Sequence, residues 1–152
     1  MTKQPRVVFM FSHPFLPQAW EAARALLAER GIACTVADQT QPRDWNAFAA
    51  EEVETADALY LDLTPDFGGF DTLLDAAMAV PLVVPGGGAV AEEWTETDSG
   101  AREAMRACLC AGRAEDLAGG ALWLLRRCGS WRFALPQAQA QAPRAAALEA
   151  AL

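Results

Sequence analysis

Arg6-Val7-Val8-Phe9-Met10-Phe11 constrains the fold more than any other stretch of this chain. It is apolar without alternation and rich in strand formers. A strand with one wet face alternates polar and apolar residues, so one that does not must be covered on both faces. That condition points to a parallel sheet with helices on either side. The residues that follow supply the rest of a βαβ unit. After the break at Ser12-His13-Pro14, Pro17 suits a first helical turn, where its missing N–H costs nothing. Leu16, Trp20, Ala23 and Leu27 recur at helical spacing, with Leu26 beside them. Gly31 is expected to end that helix, and Ile32 to Val36 to form the second strand.

The rhythm continues. Asp44 is a good helix cap, with Trp45, Phe48 and Ala49 on one helical face. Ala58 to Leu63 reads as a third strand, Thr64 to Gly69 as a loop, and Phe70 to Met78 as a short helix. Pro81 to Val84 is a fourth strand, ended by Pro85 and three glycines. Beyond it the strand pattern stops. Asp98 or Ser99 can cap a helix running to about Ala111, and Arg113 or Ala114 starts another. Leu117, Ala121, Leu124, Leu125 and Cys128 form a stripe on that last helix, with Trp123 off it. The expected fold class is α/β: a small four-stranded parallel sheet of flavodoxin-like or Rossmann-like type, order 2-1-3-4, with helices on both faces and a C-terminal helical pair. Residues 1–135 are expected to form one domain. Residues 136–152 read as an Ala/Gln/Pro-rich tail, flexible or loosely helical.

Charge narrows the partners. The net charge is −8, and between Arg43 and Arg102 there are thirteen acids and no Lys or Arg. Nucleic acid and anionic membrane surfaces both require a basic footprint, so neither is expected. No apolar run reaches the length of a bilayer span, and Met1 to Arg6 lacks the pattern of a signal peptide. Cytoplasmic location is the expectation. Cys34, Cys108, Cys110 and Cys128 include no C-x-x-C pair and suit free thiols in a reducing compartment. Cys108 and Cys110 on one helix point in different directions, which disfavours a bridge.

All strand C-termini of a right-handed βαβ sheet share one edge, and ligands bind where the strand order reverses. Ser12, His13 and Pro14 end the first strand there. Asp62, Asp66, Gly68 and Gly69 follow the third, and Gly86 and Gly87 follow the fourth. These nine residues are the candidate ligand-binding set. His13 is the chain's one histidine and its candidate metal ligand or general base. Asp62 and Asp66 can hold a hard cation or a polar ligand, although Asp66 after Pro65 equally suits a turn. Ser12 and His13 are adjacent on a strand end and should point apart, so no catalytic triad is read. The glycines match neither G-x-G-x-x-G nor a P-loop, which disfavours a nucleotide.

Three stretches carry a resemblance: Asp57 to Phe70, Pro81 to Gly87, and Ala107 to Leu117 followed by Leu122-Trp123-Leu124-Leu125. Together they resemble the N-terminal region of the large subunit of aerobic cobaltochelatase and its magnesium chelatase relatives. Where that family has Gly-Gly this chain has Ala111-Gly112, and where it has Asn this chain has Asp116. The family's large subunit is many times longer. The resemblance implies a domain that binds a corrinoid or porphyrin, contributes to insertion of cobalt or magnesium, and works with other chelatase subunits. Two other readings come from the residues alone. One is a non-enzymatic interaction or regulatory module using the acidic face; the other is a small hydrolase or transferase centred on His13.

Overall fold

In the computed structural model, which describes residues 4–86, 105–110 and 112–127, Arg6–Phe11 forms β1 at the centre of a parallel sheet. The other strands are β2 (Ala33–Asp38), β3 (Ala58–Leu61) and β4 (Leu82–Pro85), in the order β2-β1-β3-β4. The order is the expected one. The reversal lies between β1 and β3, where Val7 pairs with Cys34 on one side and Ala58 on the other.

Both faces of β1 are covered, as its unbroken apolar sequence requires. Val7, Phe9 and Phe11 enter one core with Trp20, Ala23 and Leu27 of α1 (Pro17–Ala28) and with the C-terminal helical segments. Those segments are α4, over 105–110, and α5 (Ala114–Arg127). Val8 and Met10 enter a second core on the opposite face. Their partners there include Phe48 of α2 (Trp45–Phe48), Val53 of a π-helical turn (Ala49–Val53), and Leu73 of α3 (Phe70–Ala77). Each large side chain buried in this way contributes about 1.5–3 kcal/mol.

Local chemistry sets the element ends. Gly31 has φ +73°, the left-handed conformation open to glycine. Its N–H donates to the Ala28 carbonyl at 3.0 Å, and the Ile32 N–H donates to the Leu27 carbonyl at 3.1 Å. That bond pair is a Schellman stop, sealed by burial of Leu27 and Ile32 in the same core. Asp44 caps α2, its carboxylate accepting from the N–H groups of Asn46 and Ala47 at 3.1 Å each. At the sheet's N-terminal end, Arg6 pairs with Glu52 and also donates to Thr35 Oγ1 at 3.1 Å, tying β1 to β2 and the π-helical turn.

Several expectations are corrected. Leu16 stands outside the buried face of α1; it is the residue before the helix and 67% exposed. The strands run Ala33–Asp38, Ala58–Leu61 and Leu82–Pro85, each shifted or trimmed against its expected range. The helix beginning at Trp45 widens into a π turn. On α5 the stripe broadens into a run buried from Asp116 to Leu125, Trp123 included, because α1, the sheet and α4 surround it. The expected caps at Asp98 and Ser99, the residues Gly87 and Cys128, and the tail 136–152 lie outside the described residues. No helix among the described residues is long and apolar enough to cross a membrane.

Candidate functional site

A cleft of about 600 Å³ opens at the C-terminal edge of the sheet, beside the reversal between β1 and β3. Its floor is aromatic. Phe11, the last residue of β1, lies 5.7 Å from Trp20, 5.8 Å from Tyr60 and 5.7 Å from Phe15, measured between ring centroids. Beneath it Phe9 packs on Trp20 at 4.9 Å, so this floor is continuous with the core. One wall is the segment from His13 to Leu16 with Ala19 of α1. Arg106, Leu109 and Cys110 of α4, with Gly112 and Leu117 after them, complete the described lining.

Polar groups sit along the rim. Asp62 follows β3, where its N–H donates to the Met10 carbonyl at 3.1 Å. Its Oδ2 accepts from Ser12 Oγ at 3.1 Å, joining the ends of β1 and β3. His13 stacks on Phe11 at 5.7 Å, and its Nδ1 lies 3.0 Å from the Pro14 carbonyl oxygen. A carbonyl only accepts, so in that contact Nδ1 is the donor. Arg106 Nη2 donates to the Gly86 carbonyl at 3.3 Å. Ser12 and His13 thus turn to different partners, as their adjacency on the strand end predicts.

Gly86 follows β4, and its N–H donates to the Leu61 carbonyl at 2.7 Å. A Cβ built on it would collide with Asp62 Cβ and stand 2.9 Å from the Tyr60 hydroxyl oxygen. The position is therefore a close approach between the ends of β3 and β4, and it lets Asp62 and Tyr60 share one corner of the cleft.

The expected site residues divide into groups. His13, Pro14, Asp62 and Gly86 line the cleft, and Ser12 braces Asp62 from beside it. Asp66 lies elsewhere: it is exposed in the turn closed by Phe67 N–H to the Thr64 carbonyl at 3.1 Å, the turn role that Pro65-Asp66 also suggested. Gly68 and Gly69 border a separate shallow hollow of about 380 Å³ with Arg43, Trp45 and Phe67. A Cβ on Gly69 would stand 2.8 Å from the Phe67 ring and 3.0 Å from the Trp45 ring. Gly87 lies outside the described residues.

The aromatic floor and Arg106 were missed by sequence reasoning. Phe11, Trp20 and Tyr60 had been assigned to core alone, yet each stands where an element meets the reversal edge. Arg106 lies on a helix whose place over that edge only tertiary packing reveals. The thiols separate by environment: Cys108 is buried in the core while Cys110 is exposed at the cleft wall. Half-buried Cys34 is pushed up from an ordinary 9.0 to about 12 by burial, with Arg24 acting weakly in the other direction. Among the described residues no group of three His, Cys, Asp or Glu side chains gathers around a metal position. His13 supplies a single imidazole at the rim, one of its two nitrogens engaged with the Pro14 carbonyl.

No family model, curated protein or solved structure matches this chain.

Proposed function

We propose that this chain binds a planar, largely apolar small molecule in the cleft at the β1–β3 reversal, and that the molecule is a corrin- or porphyrin-type macrocycle. The observation that carries this reading is the cleft of about 600 Å³, whose described lining joins the edges of the buried Phe11, Trp20 and Tyr60 rings to the more accessible Phe15 and Leu16. Clefts of roughly 300–1,000 Å³ lined by apolar groups with a few placed polar ones are the usual form of a small-molecule site. Aromatic rings favour a flat partner, since offset stacking adds about 0.5–1.5 kcal/mol per ring pair beyond area burial.

The three stretches that resemble chelatase large subunits meet at this cleft. The first contributes Tyr60 and Asp62, the second Gly86, and the third Leu109, Cys110 and Leu117. In that setting cobalt or magnesium is cargo carried in the ring. His13 would be the residue that offers it a nitrogen ligand, while other chelatase subunits would perform the insertion. The chain's own residues hold the ring, shield one face from water and present His13 at the rim.

Titration of a metal-free dicarboxylate porphyrin, and separately of a cobalt corrinoid, tests the reading. The expected result is a shift in the ligand's visible spectrum that Leu109→Glu, which sets a charge against the apolar wall, weakens at least tenfold. An unchanged spectrum and no co-elution on a size column at high micromolar protein would sink it.

A further inference from the structure

We infer that the ligand of this cleft carries an anionic group, a carboxylate by preference, that is received by Arg106. The inference rests on the cleft being a small-molecule site and goes on to name the chemistry of the ligand's edge.

Arg106 is the one Lys or Arg among the described residues that line the cleft. The chain as a whole has a net charge of −8, and the strand ends that meet at the cleft after β3 and β4 lie in the stretch between Arg43 and Arg102 that carries no Lys or Arg. A diffuse field of that sign repels anions, so an anionic ligand needs a local cation at the point of contact. Arg106 and the cleft's carboxylate, Asp62, do not neutralise each other: Arg106 Nη2 donates to the Gly86 carbonyl and Asp62 accepts from Ser12. A guanidinium has five N–H donors in a rigid plane. The Gly86 contact uses one of them and fixes the fork's position on the cleft wall. The remaining donors suit a carboxylate, which arginine holds with two parallel bonds. Asp62, which adjoins the same Gly86 at the end of β3, accepts only, so it meets a hydrogen-bond donor on the same molecule, such as an amide or a ring N–H. The ligand that fits these two neighbouring groups is a flat apolar body with an acid and a hydrogen-bond donor near one edge.

The experiment compares a metal-free porphyrin dicarboxylate with its neutral bis-amide, each titrated into the wild-type chain, Arg106→Gln and Arg106→Lys. The acid should bind the wild type about 3- to 10-fold more tightly than the amide, the range suited to a solvent-accessible charge-assisted contact. Arg106→Gln should erase that preference while leaving amide affinity within about twofold, and Arg106→Lys should keep part of it. Equal binding of acid and amide by the wild type would overturn the inference and leave the cleft reading standing. An equal loss for both ligands in Arg106→Gln would also overturn it, marking Arg106 as a brace for Gly86. Binding of neither ligand by any form would remove the cleft reading and this inference with it.

Discussion

Gly86 and Asp62 occupy adjoining strand ends so closely that any side chain on Gly86 would meet the Asp62 Cβ. The Tyr60 hydroxyl closes the same corner at 2.9 Å from the position of that added atom. One glycine thus decides how tightly the ends of β3 and β4 converge at the cleft.

Gly86→Ala is therefore expected to cost stability and to disturb the cleft together. Overpacking of a well-filled position costs typically about 1–3 kcal/mol. Urea unfolding of the variant should show a lower midpoint at unchanged slope, and macrocycle binding should weaken. A variant with wild-type midpoint and affinity would show that the corner relaxes freely.

Gly31→Ala isolates a different cost. Space around that position is open, with nothing within 4 Å of an added Cβ, so only the φ of +73° resists the substitution. The expected loss is about 1–2 kcal/mol, from holding an L-residue in the left-handed region. Gly31→Asn should recover part of it, because Asn tolerates that conformation. Equal midpoints for the alanine and asparagine variants would contradict the assignment of the cost to backbone conformation.

Cys34 predicts a pH dependence. Burial raises its thiol from 9.0 to about 12 in the folded chain. Between those values the unfolded chain has released the proton and the folded chain still holds it, so the unfolded state binds fewer protons. Stability is then complete below about pH 9 and falls as pH rises toward 12, by at most ~1.4 kcal/mol per pH unit. Unfolding measured at pH 8, 9.5 and 10.5 should show the decline, and Cys34→Ala should flatten it. A decline of the same slope in Cys34→Ala would assign it to other groups.

Thiol labelling checks the cleft independently of any spectrum. In a Cys128→Ser background, Cys110 should react first with iodoacetamide, since it is exposed while Cys108 is buried. Cys34 should be slow, because its raised pKa leaves little thiolate. A bound macrocycle should slow Cys110 several-fold and leave the unfolded-state rate unchanged. Identical Cys110 rates with and without ligand would place the ligand elsewhere.

Much of the fold was legible because its signals are local. The unbroken apolar run of β1 demanded helices on both faces, and Gly31 and Asp44 marked helix ends by backbone chemistry that neighbours do not alter. The rhythm of elements pointed to a parallel βαβ sheet, and the order β2-β1-β3-β4 was expected only as the common one for such a sheet. What escaped depends on distant partners. The burial of Trp123 arises because α5 is enclosed by α1, the sheet and α4, whose Met105 packs against Gly120 at 3.2 Å from a built Cβ. At the site, His13 and Asp62 were placed correctly on the reversal edge. Asp66 took the other of its two readings, the exposed Pro-Asp turn, and Arg106 came from a segment twenty residues past Gly86.

The ring contacts among Phe9, Phe11 and Trp20 leave no boundary between the interior and the cleft. A molecule that fills the cleft completes the interior as a detachable piece of it. Its occupancy is then readable as heat resistance: at a free concentration one hundred times its Kd, such a ligand adds about 2.7 kcal/mol to the folded state. A melting-temperature survey of flat acids would thus search for the natural ligand with no assay of chemistry at all.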